Sequence, residues 1–186
     1  MKKISTLFEK DPNDLSRVLP HANLENNWVF EGKGIATRKF DGSACAIIDG
    51  HLYKRYDVKK DRAVPDGAIP CQFPDAITGH WPHWLLCDRL KPEDRYFFEG
   101  LENLENKNDG TYELCGPKVQ GNPERFDRHY LIPHGAHTID DLPGLSFHEI
   151  KQYLTDNDIE GIVFHHRTNG NMCKIRKSDF GIKRKP

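Results

Sequence analysis

A chain of 186 residues can build one domain with a real core but not two full-sized ones, and a 37% hydrophobic content with three Trp and ten Phe can fill that interior. No apolar run approaches the roughly 20 residues that cross a bilayer, and Met1-Lys2-Lys3-Ile4 leads into no apolar stretch, so neither a membrane span nor a secretory signal is expected. A net charge of -1 lacks the basic excess of duplex-binding modules, and cysteines at 45, 71, 87, 115 and 173, odd in number and unclustered, point to free thiols in a reducing cytoplasm.

Up to about Asn27 the chain reads as a helical turn around Asp14 to Val18 followed by loop. Short β-rich runs follow at Trp28 to Phe30, Ile35 to Thr37, Ser43 to Ile48 and Leu52 to Val58. Asp49-Gly50 between the last two suits a type I′ turn, whose central residues both need positive φ, so Ala44 to Tyr56 is expected to form an antiparallel hairpin. Residues Asp61 to Leu90, rich in Pro, Gly, His and Trp, show no clean period and read as long loops with a short helix. Pro92 with Glu93 and Asp94 behind it suits a helix start, giving a helix to about Leu104. Asn108-Asp109-Gly110 then turns into a strand from Thr111 to Cys115, a Gly/Pro-rich loop runs from Gly116 to Pro123, and a strand spans His129 to Pro133. Ser146 and Glu149 have capping-box spacing, and Ile150, Tyr153 and Leu154 give the following helix an apolar stripe ending near Asn157. Strands at Gly161 to His165 and Met172 to Arg176 close the pattern around a polar turn at Thr168 to Asn171. The sum is an α+β chain of antiparallel sheets with flanking helices, read as a single domain over 1–186.

Three short segments carry chemistry. Arg38-Lys39-Phe40-Asp41-Gly42-Ser43 puts a lysine at a strand end beside a glycine that lets the backbone approach a ligand. Taken alone, its K-x-D-G tetrapeptide is a weak signal, better explained by a surface lysine at a β-turn. Tyr112-Glu113-Leu114-Cys115-Gly116 is the second segment, and Glu160-Gly161-Ile162-Val163 with Lys174-Ile175-Arg176 the third. In order they spell K-x-D-G, E-x-x-G, E-G-x-V and K-x-[KR]. That ordered set resembles the covalent nucleotidyltransferase superfamily of DNA ligases, RNA ligases and mRNA capping enzymes. Gly121-Asn122-Pro123, Leu131-Ile132-Pro133-His134-Gly135-Ala136 and Glu160-Gly161-Ile162-Val163 bring the chain closest to animal-type 5′-to-3′ RNA ligases. The likeness runs from about Ile35 to the C-terminus and is densest in the second half.

The resemblance implies an adenylyltransferase (ATP-grasp-like DNA/RNA ligase catalytic) fold, ATP with Mg²⁺ or Mn²⁺, and joining of RNA 5′-phosphate and 3′-hydroxyl ends through a lysyl-AMP. It makes Lys39 the nucleophile, with Lys174 and Arg176 at the α-phosphate and Arg38, Gly42 and Gly116 around the nucleotide. Glu113 falls near the ribose and Glu160 at the metal, which Glu113 also approaches. Arg55 falls over the ribose or an incoming 5′-phosphate, and His134 and Val163 on either side of adenine. As an ammonium with an ordinary pKa of about 10.4, Lys39 must lose its proton before it attacks phosphorus, and nearby cations or a metal favour that loss.

Other readings compete with these. Arg55 also suits a cross-strand ion pair, and His134, His137, His165 and His166 lack zinc-site spacing. The Gly116 to Gly121 loop has no GK[ST] ending, so no P-loop is expected. The basic tail, Lys174 to Lys177 and Lys183 to Lys185, offers either a local groove for RNA or a solvated terminus. Superfamily members often carry lysine where this chain has Arg176, whose wider fork alters the phosphate geometry. The sequence ends soon after that motif, leaving no room for a C-terminal OB domain, which argues against cap formation. Neither a membrane nor a protein partner is implied. The remaining rivals are a ligase acting on DNA or nicked hybrids and a catalytically silent nucleotide- or RNA-binding module of the same fold.

Overall fold

A computed structural model describes residues 3–75 and 79–184. Residues 76–78 of the expected loop and Lys185 of the basic tail lie outside the described residues. The architecture is α+β, with antiparallel sheets and few helices. The described residues divide into two compact units: one holds residues 41–75 and 79–134 with Lys3, and the other residues 4–40 and 135–184.

The discontinuous unit is built on a four-stranded sheet in the order β1-β12-β11-β4. Its strands are β1 (Ser5–Thr6), β4 (Gly34–Lys39), β11 (Gly161–His166) and β12 (Met172–Arg176). β11 pairs antiparallel with both β4 and β12, while β1 adds parallel to β12. Successive side chains alternate faces, so Ile162, Phe164, Cys173 and Ile175 form one apolar face. Helix α2 (Phe147–Asp156) packs Ile150 and Leu154 there, alongside Leu7 and Phe8. The expected capping box forms: Ser146 Oγ accepts from the Glu149 N–H at 3.3 Å, and Glu149 Oε2 accepts from the Ser146 N–H at 3.0 Å.

The continuous unit carries a six-stranded sheet in the order β10-β9-β5-β6-β8-β7. Its members are β5 (Ser43–Ile48), β6 (His51–Val58), β7 (Ile69–Pro70), β8 (Trp81–Leu86), β9 (Gly110–Cys115) and β10 (Tyr130–Pro133). The hairpin turn has φ of 50° at Asp49 and 72° at Gly50. Asp109 secures it by accepting from both of their N–H groups, at 2.7 and 3.0 Å. Helix α1 (Arg95–Glu102) packs Tyr96, Phe97 and Leu101 against Cys45, Ile47, Leu52, Tyr112 and Leu114 on one face of the sheet. Glu113, Thr111, Ala44 and Arg55 stand on the alternate face.

Three expectations are corrected. Trp28 to Phe30 is helical, with Val29–Lys33 forming a π-type turn, because Trp28 takes an αR backbone and Val29 is buried as part of that turn. Asp14 to Val18 is a β-turn, closed by the Arg17 N–H donating to the Asp14 carbonyl at 2.8 Å, and Val18 opens β3 (Val18–Ala22), which pairs with β2 (Phe8–Lys10). The Asp61 to Leu90 stretch contains β7 and the six-residue β8, paired along β6 from Trp81 to Leu86. Pro82 has no N–H to give, but its carbonyl accepts from the Cys71 N–H at 2.9 Å, next to a two-residue edge strand.

Candidate functional site

In the discontinuous unit, strand register assembles the basic residues. Gly161 lies opposite Lys39 on one side and Arg176 on the other, and Val163 lies between Thr37 and Lys174. Cross-strand partners share a face, and so do residues two apart on a strand. Lys39, Lys174, Arg176 and Val163 therefore stand together on the sheet face opposite the α2 core. A Cβ on Gly161 would meet the Ile175 carbonyl oxygen at 2.3 Å and the Arg176 Cα at 2.9 Å. Only glycine lets β12 approach β11 this closely, and it leaves the ground between Lys39 and Arg176 without a side chain.

Glu160, at the start of β11, forms an ion pair with Lys39 Nζ, both side chains being about one-fifth exposed. Lys39 Nζ also donates to the Phe40 carbonyl at 3.3 Å. Lys174 is held down to about 8, by burial first and then by the positive charges of Arg176 and Lys39, against the opposite pull of Glu160 and Asp179. Arg176 is held above its ordinary range by its hydrogen bonds to Asp179. Burial alone would raise Asp179, but hydrogen bonds from Arg176 and Lys10 bring its carboxyl below the ordinary range. Arg38, on the core side of β4 by alternation, sets its guanidinium 4.7 Å from the centre of the Phe40 ring, and its N–H donates to the His137 carbonyl at 2.8 Å. It does not share a face with Lys39.

In the continuous unit the organising pair is Glu113 and His134. His134 Nε2 lies 3.0 Å from Glu113 Oε2, and Nδ1 lies 2.9 Å from Thr111 Oγ1, so both ring nitrogens are tied and the ring orientation is fixed. Arg55 donates from Nε to Asp57 Oδ1 at 3.0 Å, an ion pair along its own strand, and lies opposite Trp84 of β8 in the register. The glycines of the two loop motifs answer to protein atoms. A Cβ on Gly42 would meet the Leu114 carbonyl oxygen at 2.2 Å, and one on Gly116 would meet His129 Cδ2 at 2.5 Å. Asp41 of the same motif is fixed through its N–H, which donates to Glu124 Oε1 at 2.9 Å.

Sequence reasoning passed over Asp179, Lys10 and Thr111. Asp179 was findable, since it follows Arg176 at the i,i+3 spacing of a capping pair and accepts from its N–H at 2.8 Å. Lys10 and Thr111 gave no signal, because the first acts across 169 positions and the second through a histidine 23 residues on. In the basic tail, Lys177 is buried and Arg184 pairs with Asp158. All five cysteines are free thiols. Burial lifts Cys45 well above the usual thiol range and Cys87 and Cys173 to about 12, so these thiols are inert. Among the described residues no helix is long and apolar enough to cross a membrane, and no group of three or more His, Cys, Asp or Glu is placed to hold a metal.

The profile of one protein family, RNA ligase 1, matches residues 73–185. The match takes in more than half the chain, which belongs to the RNA ligase 1 family. Among curated relatives, RNA ligase 1 of Pongo abelii is 34% identical over 80 residues, covering 39% of this chain and 24% of the relative. RNA ligase 1 of Rattus norvegicus is 31% identical over 80 residues with the same coverage, and that of Danio rerio 33% over 81 residues, covering 39% and 25%. These alignments span about a quarter of the length of the curated relatives. The family match includes Glu113, Gly116, His134, Glu160, Val163, Lys174 and Arg176 and begins after Arg38, Lys39, Gly42 and Arg55.

Proposed function

We propose that residues 1–186 form one nucleotidyltransferase domain of adenylyltransferase fold, acting in the cytoplasm as an ATP-dependent RNA ligase. The observation that carries this is the register that sets Lys39, Lys174 and Arg176 on one sheet face, with the Glu160 carboxylate against the Lys39 amine. Glu160 is placed to take the proton that Lys39 must release. Neutral Nζ then attacks the α-phosphorus of ATP, forming a P–N bond as the bond to the bridging oxygen breaks and pyrophosphate leaves with the electron pair. Lys174 and Arg176 offset charge on the non-bridging oxygens. The AMP passes to an RNA 5′-phosphate, and a 3′-hydroxyl displaces it to seal the strand.

The remaining roles follow the same reading. Glu113 takes the ribose, Arg55 the ribose or incoming phosphate, and Gly42, Gly116 and Arg38 act as supports to the nucleotide-contacting segments. Val163 and His134 are each read as adenine contacts, and the imidazole of His134 is held in one plane by its two ring-nitrogen partners. Mg²⁺ ordinarily takes one or two protein carboxylates and keeps several waters, and on this reading Glu160 is its principal ligand, with Glu113 assigned by the resemblance. When bound, Mg²⁺ or Mn²⁺ supplies positive charge at the phosphate oxygens.

The test is incubation with α-labelled ATP and Mg²⁺ or Mn²⁺, followed by denaturation. Retained label that acid releases and alkali does not, abolished in Lys39→Ala, is the expected result. Label from GTP alone would favour cap chemistry, and none under any condition a silent binding module. Sealing assays on RNA, DNA and nicked hybrid ends then fix the acceptor.

A further inference from the structure

We propose that the cleft at the end of β6 takes the phosphodiester backbone of a single-stranded RNA segment next to the end being joined; this rests on the ligase reading. The cleft has a volume of about 610 Å³ and is lined by Arg55, Tyr56, Asp57, Lys59, Arg62 and Ala63. Three cations face it against one carboxylate. A turn in which the Arg62 N–H donates to the Lys59 carbonyl at 3.1 Å brings Lys59 and Arg62 together, and both are exposed. Asp57 fixes the guanidinium of Arg55 through Nε at 3.0 Å. Tyr56, 40% exposed, adds a flat surface of the kind that unpaired bases stack on.

Charge distribution along the chain agrees. Residues 55–62 hold four cations and two carboxylates in a protein whose net charge is -1. Of the basic residues near the C-terminus, Arg176 pairs with Asp179, Arg184 pairs with Asp158 and Lys177 is buried. A small ligand is ordinarily enclosed on most sides, whereas a polyanion binds exposed cations through release of its counterions. An open cleft of exposed lysine and arginine fits the second case.

The experiment measures binding of a twelve-nucleotide single-stranded RNA by fluorescence anisotropy over a series of salt concentrations. Wild type and Lys59→Ala/Arg62→Ala are compared, with Lys151→Ala on the exposed side of α2 as baseline. Two lost phosphate contacts should make the slope of log affinity against log salt shallower by about 1.4, with a several-fold loss of affinity at low salt. A slope and affinity equal to those of Lys151→Ala would overturn the assignment. So would a loss of ATP affinity with RNA binding intact, which would make the cleft a triphosphate site. Label at Lys39 is read separately in the wild-type protein: its absence removes the ligase reading, and the salt slope alone decides the cleft.

Discussion

The carboxylate of Asp179 holds Arg176 at three points: it accepts from the backbone N–H at 2.8 Å, from Nε at 3.3 Å and from Nη2 at 2.9 Å. Asp179 is fully buried and also receives Lys10 Nζ at 2.7 Å. Two of the five N–H donors of the arginine are spent in this clamp, and the remaining three are set in a fixed plane. The wider fork that distinguishes Arg176 from a lysine is therefore held in one orientation.

Asp179→Asn should cost about 3 kcal/mol of stability, because it leaves two cations facing a neutral group in a buried place. Urea denaturation measures this. The native carboxyl lies below its ordinary range, so its contribution is present above the unfolded pKa of about 4 and is lost as pH falls through the native value. The stability gap between wild type and variant should accordingly close in acid. A constant gap down to pH 2 would show that charge is not what the carboxylate contributes.

Lys174 sets a second pH dependence of the same sense, in an alkaline window. Its native pKa of about 8 lies below the unfolded value, so between about 8 and 10.5 the unfolded chain binds more protons and stability rises with pH. Lys174→Met should be more stable than wild type at pH 7, by up to about 3 kcal/mol, and the gain should shrink above pH 8. ATP should no longer raise its melting temperature. In the wild-type protein, nucleotide binding near pH 8 should take up protons, since a bound phosphate favours the ammonium. Calorimetry in buffers of different ionisation enthalpy reads that uptake.

Gly161→Ala places a methyl 2.3 Å from the Ile175 carbonyl oxygen, so β12 must move away from β11. We expect a loss of roughly 2 kcal/mol and a larger loss of Lys39 labelling than of stability, because Lys174 and Arg176 travel with β12. Labelling that survives in a folded Gly161→Ala protein would show that the row across the three strands is not needed.

Thr111→Val removes the hydroxyl 2.9 Å from His134 Nδ1 while leaving Glu113 in place. A stability cost of about 1 kcal/mol is expected for the lost hydrogen bond. Nucleotide affinity, followed by competition with a fluorescent ATP analogue, should fall several-fold as the imidazole loses its fixed plane. Unchanged affinity would remove His134 from the adenine site.

Elements with local signals were legible in the sequence. Ser146 with Glu149 and Asp49 with Gly50 announce a helix start and a hairpin because their hydrogen bonds and dihedral angles involve near neighbours. β1 and β2 gave no such signal: two and three residues long, they exist through partners elsewhere, β1 on a strand 168 positions away. β8 was hidden by Pro82 and His83, residues that depress strand propensity but are accommodated where a short edge strand leaves the proline unchallenged. Trp28 to Phe30 shows the converse, an aromatic and β-branched run drawn into a helical turn by burial of Val29. The ordered motifs did find Lys39, Glu160, Lys174 and Arg176, which register brings to one place, but not Asp179, whose task is to hold another side chain.

The discontinuous unit also imposes an order of events during synthesis. The strand carrying Lys39 finds its partners only beyond the inserted unit, in a bridge to Thr138 and in β11, more than 120 residues later, whereas residues 41–134 contain every strand of their own sheet. As the polypeptide leaves the ribosome, the inserted sheet can complete its pairings while β4 still waits. A chain cut short before Gly161 would thus leave the strand bearing Lys39 without β11, prone to aggregation.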